Sequence, residues 1–180
     1  MKKSILFFLV LVPVWGQASH SFIHGDPIEF RGLASQAQSS AWAWCSATAR
    51  FSSDLLRSQS EKNQQIDQLE SVAEASENSI FFLQWWEYEV QLYRKRDSAP
   101  SARASHKDTL REFRGIAKNL VEEKLGRMAQ QTQNSKFDEP EFKNTILSTL
   151  SLCERNVGAM EDYSLVWNGW MAANRAKLSF

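Results

Sequence analysis

Apolar residues recur every three or four positions along most of this chain, and from Gly32 to Pro100 no glycine or proline intervenes. That spacing, free of both breakers, predicts helix rather than strand. Four start signals divide the pattern. Asp26-Pro27-Ile28-Glu29 offers an acceptor at the N-cap, proline at the first helical position and glutamate at the third. Ser58-Gln59-Ser60-Glu61 is a second capping box, Ser105-His106-Lys107-Asp108 a weaker third, and Asp138-Glu139-Pro140-Glu141 the fourth. The predicted helices therefore span about 27–57, 59–96, 106–132 and 139–175. Ser76-Glu77-Asn78-Ser79 is a candidate further break, and the stretches Asp97 to Ala104 and Gln130 to Phe137 read as loops.

The apolar stripes predict an all-α fold, a four-helix bundle of up-down-up-down topology with a short N-terminal arm. Helix one offers Phe30, Leu33, Ala37, Trp44, Thr48, Phe51 and Leu55. Helix three offers Leu110, Phe113, Ala117 and Leu120, and helix four runs Ile146, Leu150, Cys153, Val157, Met160, Ser164, Trp167 and Met171. Such a bundle makes helices one and four antiparallel neighbours. Cys45 and Cys153 then sit at heights differing by about 6 Å at 1.5 Å per residue. Trp170 is expected near the start of helix one, against Phe30 or Leu33.

The first eighteen residues change the picture from fold to compartment. Lys2 and Lys3, the apolar run Ile5 to Val12, and small residues before a cut after Ala18 have the form of a secretory signal peptide. That apolar run is too short for a membrane span of about 20 residues. The expected product is a single helical domain, 19–180, secreted or periplasmic. The compartment favours a Cys45–Cys153 disulfide, with two buried thiols as the competing arrangement. Removing Lys2 and Lys3 takes the balance from 21 basic and 21 acidic residues to 19 against 21, a net −2. Nothing in that total recommends nucleic acid as a partner. Six tryptophans remain beyond Ala18, which argues for a folded chain.

Candidate chemistry is sparse. The segment Ser79 to Tyr93 confines Gln84, Glu87, Gln91 and Arg94 to one narrow strip of the helical wheel. Phe81, Phe82, Trp85, Trp86, Tyr88, Leu92 and Tyr93 cover most of the rest, an apolar arc wider than a single packed face needs. Neighbouring helices could cover the excess; otherwise Trp85, Trp86, Tyr88 and Tyr93 mark an interface. Glu89 falls among these aromatics, where it is either a general acid or recognition charge, or a partner for Arg50, Arg114 or Arg155. Helix three carries a basic ridge of Arg103, Lys107, Arg111, Arg114 and Lys118. That ridge is either a solvated face or an attraction for anionic envelope components or an acidic protein.

The three histidines form no metal-binding pattern, though an end starting Ala18-Ser19-His20 would suit Cu(II). Nucleophile elbows and phosphate loops are absent, so neither metal nor cofactor is expected. The leading expectation is an exported, non-catalytic helical module that binds another envelope macromolecule as adaptor, inhibitor or chaperone. A carrier or sensor of a small apolar or amphipathic ligand is the alternative. An acid/base enzyme using Glu89 is the third.

Overall fold

Small residues decide how the first two helices meet. In the computed structural model, which describes residues 20–59, 64–95, 106–134 and 139–174, α1 (Ser35–Gln59) and α2 (Gln64–Lys95) form an antiparallel pair. Ala43, Ser46, Ala47 and Ala49 of α1 and Ala73, Ser76 and Ser79 of α2 are all buried. Short side chains let the two backbones approach closely enough for the Ser46 hydroxyl to donate to the Ala73 carbonyl at 2.9 Å. The candidate break at 76–79 is not one: α2 runs through it, and the Ser79 hydroxyl donates back to the Ala75 carbonyl. Serines here lower side-chain bulk without stopping the helix.

The helix α3 (His106–Asn134) lies across both α1 and α2 and runs opposite to α2. Tyr88 meets Phe113 near its start, while Met128, fully buried, reaches Thr48 of α1 further along. Of the predicted stripe, Phe113 and Ala117 are buried and Leu110 and Leu120 half-buried, while Val121, outside it, is fully buried. One more turn along it, Lys124 is also buried, its ammonium over the Trp44 ring at 5.4 Å and 3.2 Å from Glu123.

Helix one is shorter than its sequence signals predict. Asp26 adopts φ 41 and caps no helix. Its carboxylate instead accepts from the Ser21 amide and hydroxyl and meets His20, folding residues 20–26 into a turn. Proline at 27 then enters an extended arm, a short 3-10 turn follows at Phe30–Gly32, and α1 begins at Ser35. The arm is packed: Phe30 is fully buried against Trp42, and Phe22 stacks on Trp44 at 4.9 Å.

The fourth predicted helix is two helices, α4 (Pro140–Arg155) and α5 (Val157–Asn174), so the chain is all-helical with five α-helices among its described residues. The break is at Asn156, whose side chain is buried and fully used. Its Oδ1 accepts the Phe30 amide at 2.8 Å, and its Nδ2 donates to the Leu152 carbonyl at 2.9 Å and the Ile28 carbonyl at 3.4 Å. A side chain that binds its own preceding turn and the arm together competes with helix continuation. Downstream of it, α5 packs along α2, whereas α4 packs on α1.

Cys45 and Cys153 are joined, with Cα atoms 5.7 Å apart, and both are fully buried between α1 and α4. The predicted heights of the two sulfurs match despite the late start of α1, because helical rise between neighbours depends on local register rather than on where the ends fall.

Candidate functional site

An aromatic wall joins α2 to α5. Tyr163 stacks on Phe82 at 4.7 Å, Trp167 meets Phe81 at 4.9 Å and Trp85 at 5.2 Å, and Trp170 meets Trp85 at 5.1 Å. Trp167 and Trp170 stack on each other at 5.3 Å. Pairs of this geometry each contribute about 0.5–1.5 kcal/mol beyond the area they bury. Trp170 is therefore a partner of Trp85, and not of Phe30 or Leu33 as expected. Beyond the turn at Asn156, α5 runs along α2, with its Tyr163 tied to Gln38 near the start of α1.

The wall splits the aromatic segment of α2 into an inner and an outer set. Phe81, Phe82 and Trp85 are buried, and Tyr88 is half-buried against Phe113. Trp86 is 49 % exposed and Tyr93 73 % exposed. Residues 86 and 93 differ by seven positions, so they share one face of the helix. On α5, Leu165 is 71 % and Val166 45 % exposed, and from Tyr163 to Asn174 there is no charged residue. Two positions from both Tyr163 and Trp167, Leu165 lies on the side of α5 turned away from the wall. Leu165 and Val166 are visible in the sequence, but an unbroken fourth helix hides that their turn is only partly covered.

The Tyr163 phenol anchors the wall to α1 by accepting from the Gln38 amide nitrogen. Burial pushes its pKa above the ordinary phenol value. Arg31 clamps the start of α5 by pairing with Asp162 and donating to the Gly158 carbonyl at 3.0 Å.

Glu89 is half-buried, and its proposed arginine partners are engaged elsewhere. Arg50 pairs with Glu77 and approaches Glu122 at 3.8 Å, Arg114 lies over the Phe81 ring at 5.1 Å, and Arg155 turns back to the Ser151 carbonyl. Of the basic ridge, Arg111 is exposed and pairs with Asp108 at 3.4 Å, and Lys118 is exposed. Arg103 and the side chain of Lys107 lie outside the described residues, as do the signal segment and Ser19.

Two clefts are polar. One, of about 450 Å³, lies between α1 and α2 and is lined by Arg50, Arg57, Glu70, Glu74, Glu77 and Arg114. Its charges are matched internally, through the Arg50–Glu77 and Arg57–Glu70 pairs. The other, of about 540 Å³, includes Ser35, Ser39, Gln84, Glu87 and Lys124, and in it Ser35 donates to Glu87 at 3.2 Å. Lys124 and, behind it, Arg127 hold the Glu123 carboxyl below its usual range. Among the described residues, no three His, Cys, Asp or Glu side chains converge as metal ligands, and no helix is long and apolar enough to cross a membrane. No family model, curated protein or solved structure matches the chain.

Proposed function

We propose that the protein is an exported, non-catalytic binding module that recognises an envelope macromolecule through apolar side chains left uncovered on α2 and α5, Trp86 and Tyr93 on the one and Leu165 and Val166 on the other. One observation carries this reading: a twelve-residue uncharged stretch of α5 leaves Leu165 and Val166 uncovered. Large water-facing apolar groups are a cost to an isolated protein and a gain once covered. The buried Cys45–Cys153 bridge supports export, because disulfides persist in oxidising compartments. In this reading α4 and α5 together make the fourth rod of an up-down-up-down bundle, and α5 is the rod turned outward for recognition.

The carrier alternative is weaker, since Phe81, Phe82, Trp85, Trp167 and Trp170 fill the space between α2 and α5 with one another. Acid/base chemistry through Glu89 lacks a nucleophile or second proton-transfer group at hand. A photo-crosslinking amino acid placed at Leu165 in living cells tests the leading reading. Adducts from position 165, absent when the same probe replaces exposed Asp67, are the expected result. No adduct at 165, or the same adducts from 67, would overturn it.

A further inference from the structure

The arm, residues 20–33, is tied down on both sides of the disulfide. On α4, Phe142, Thr149 and Asn156 recur every seven residues and so form one line along the helix. Phe22 meets the Phe142 ring edge-on at 5.9 Å and donates its amide to the Thr149 hydroxyl at 2.9 Å. Phe30 and Ile28 are held by Asn156. Cys153 stands four residues past Thr149 and three before Asn156, spacings that put it on the same helix face as both. On α1 the same two phenylalanines meet Trp44 and Trp42. Those rings leave the helix about 100° to one side of Cys45 and about 60° to the other. The arm therefore crosses the α1–α4 seam where the bridge lies, with Ile23 buried beneath it and both cysteines fully buried. Its hold is local. Beyond the 3-10 turn at Phe30–Gly32 it has no regular structure, and His24, Gly25, Asp26, Ile28 and Glu29 face water.

We infer that the arm is a strap that gates the Cys45–Cys153 bridge, so that exchange with a dithiol reductant proceeds through undocking of the arm and not through unfolding of the helices. The reductant's thiolate attacks one sulfur, and a mixed disulfide forms as the other sulfur leaves as a thiolate and takes up a proton. The second thiol of the reductant then displaces the bound cysteine. The bridge gains two electrons, and the dithiol becomes a cyclic disulfide. Attack requires contact with a sulfur, which full burial denies while the arm is docked. Segments held by few contacts open at far lower cost than packed helices, which places the arm at the easily opened end of this fold. Helix α1, by contrast, is packed by α2, α3 and α4 together. The gate is independent of the uncovered side chains on α2 and α5, and stands or falls apart from them.

The test is the rate at which dithiothreitol reduces the folded, oxidised protein at a series of urea concentrations below its unfolding transition, with released thiols alkylated and counted by mass. Gated exchange gives a rate that barely changes with urea in this range, because undocking a short segment exposes little surface compared with global unfolding. Phe22→Ala removes the contacts with Trp44 and Phe142 and should speed reduction about tenfold or more. Ser76→Leu weakens the packing of α1 on α2, away from the arm, and should leave the rate at the parent value. An equal acceleration by Ser76→Leu would overturn the gate, as would a rate that climbs with urea along the global unfolding slope. So would a rate unmoved by Phe22→Ala, including no reduction of either protein. The urea slope of the parent decides without either variant.

Discussion

Replacing Asn156 with alanine removes three hydrogen bonds that tie the arm, α4 and α5 at one point. The most costly consequence concerns Phe30, fully buried, whose amide loses its 2.8 Å acceptor and gains no water. An orphaned buried donor costs about 1–3 kcal/mol. Losing the bonds from Nδ2 to the Leu152 and Ile28 carbonyls adds roughly 0.5–1.5 kcal/mol for the better one and less for the longer. Alanine's higher helix propensity returns about 0.5 kcal/mol. The sum is a loss of about 1–4 kcal/mol. With a urea m-value of roughly 2 kcal/mol per molar, the unfolding midpoint falls by about 0.5–2 M. Asn156→Asp keeps an acceptor for Phe30 and loses only the donors, so it should fall between parent and alanine. The Phe30 amide should also lose protection in hydrogen exchange. A midpoint within about 0.3 M of the parent, or unchanged Phe30 protection, would refute the assigned role of this side chain.

Joint replacement of Cys45 and Cys153 by alanine should lower stability by about 4–5 kcal/mol, since the bridge closes a loop of 108 residues; an unchanged thermal midpoint under reduction would contradict this. Ser76→Leu places a large side chain where α1 and α2 nearly touch and should cost about 1–3 kcal/mol, read by urea unfolding, because the packed pair cannot yield room cheaply. The Asp26 carboxyl is held below its ordinary value, first by the Ser21 hydroxyl, so its contribution to arm docking is present above that value and lost as pH falls through the folded one. Asp26→Asn should erase this acid-side loss in a pH series of unfolding midpoints. Burial raises the Tyr163 pKa, so its contribution is intact below the unfolded phenol value and declines as pH rises through the folded value. Tyr163→Phe should flatten that alkaline decline.

Helix class, the α2 and α3 spans and the disulfide were legible because each rests on a strong local rule. Periodicity without breakers defines long helices, and two cysteines allow only one intramolecular pairing. The start of α1 was misread because Asp26-Pro27 satisfies a capping pattern equally well as a turn, and Ser21 and His20, upstream of the pattern, captured the carboxylate. Asn156 was invisible for a related reason. Its neighbours keep helical spacing, and its decisive partners, Phe30 and Ile28, lie some 126 and 128 positions away. The stripe assigned to α1 also missed its buried Trp42 and placed Ala37, which is exposed, inside. A Ser/Ala-rich helix buried on several sides by α2, α3 and α4 has no single apolar stripe to read. The aromatic excess of α2 was detected, but its division between Trp85 and Trp86 depended on where α5 lands.

The cross-link between residues 45 and 153 encloses all three connections between α1 and α4. A protease that cuts at 60–63, 96–105 or 135–138 therefore yields two pieces that remain one molecule, and each cut falls outside the described helices. Such a clip would go unseen by size until a reductant is added. In a protease-laden environment that arrangement turns backbone scission into a tolerated wound, and it makes the oxidised form the one that endures.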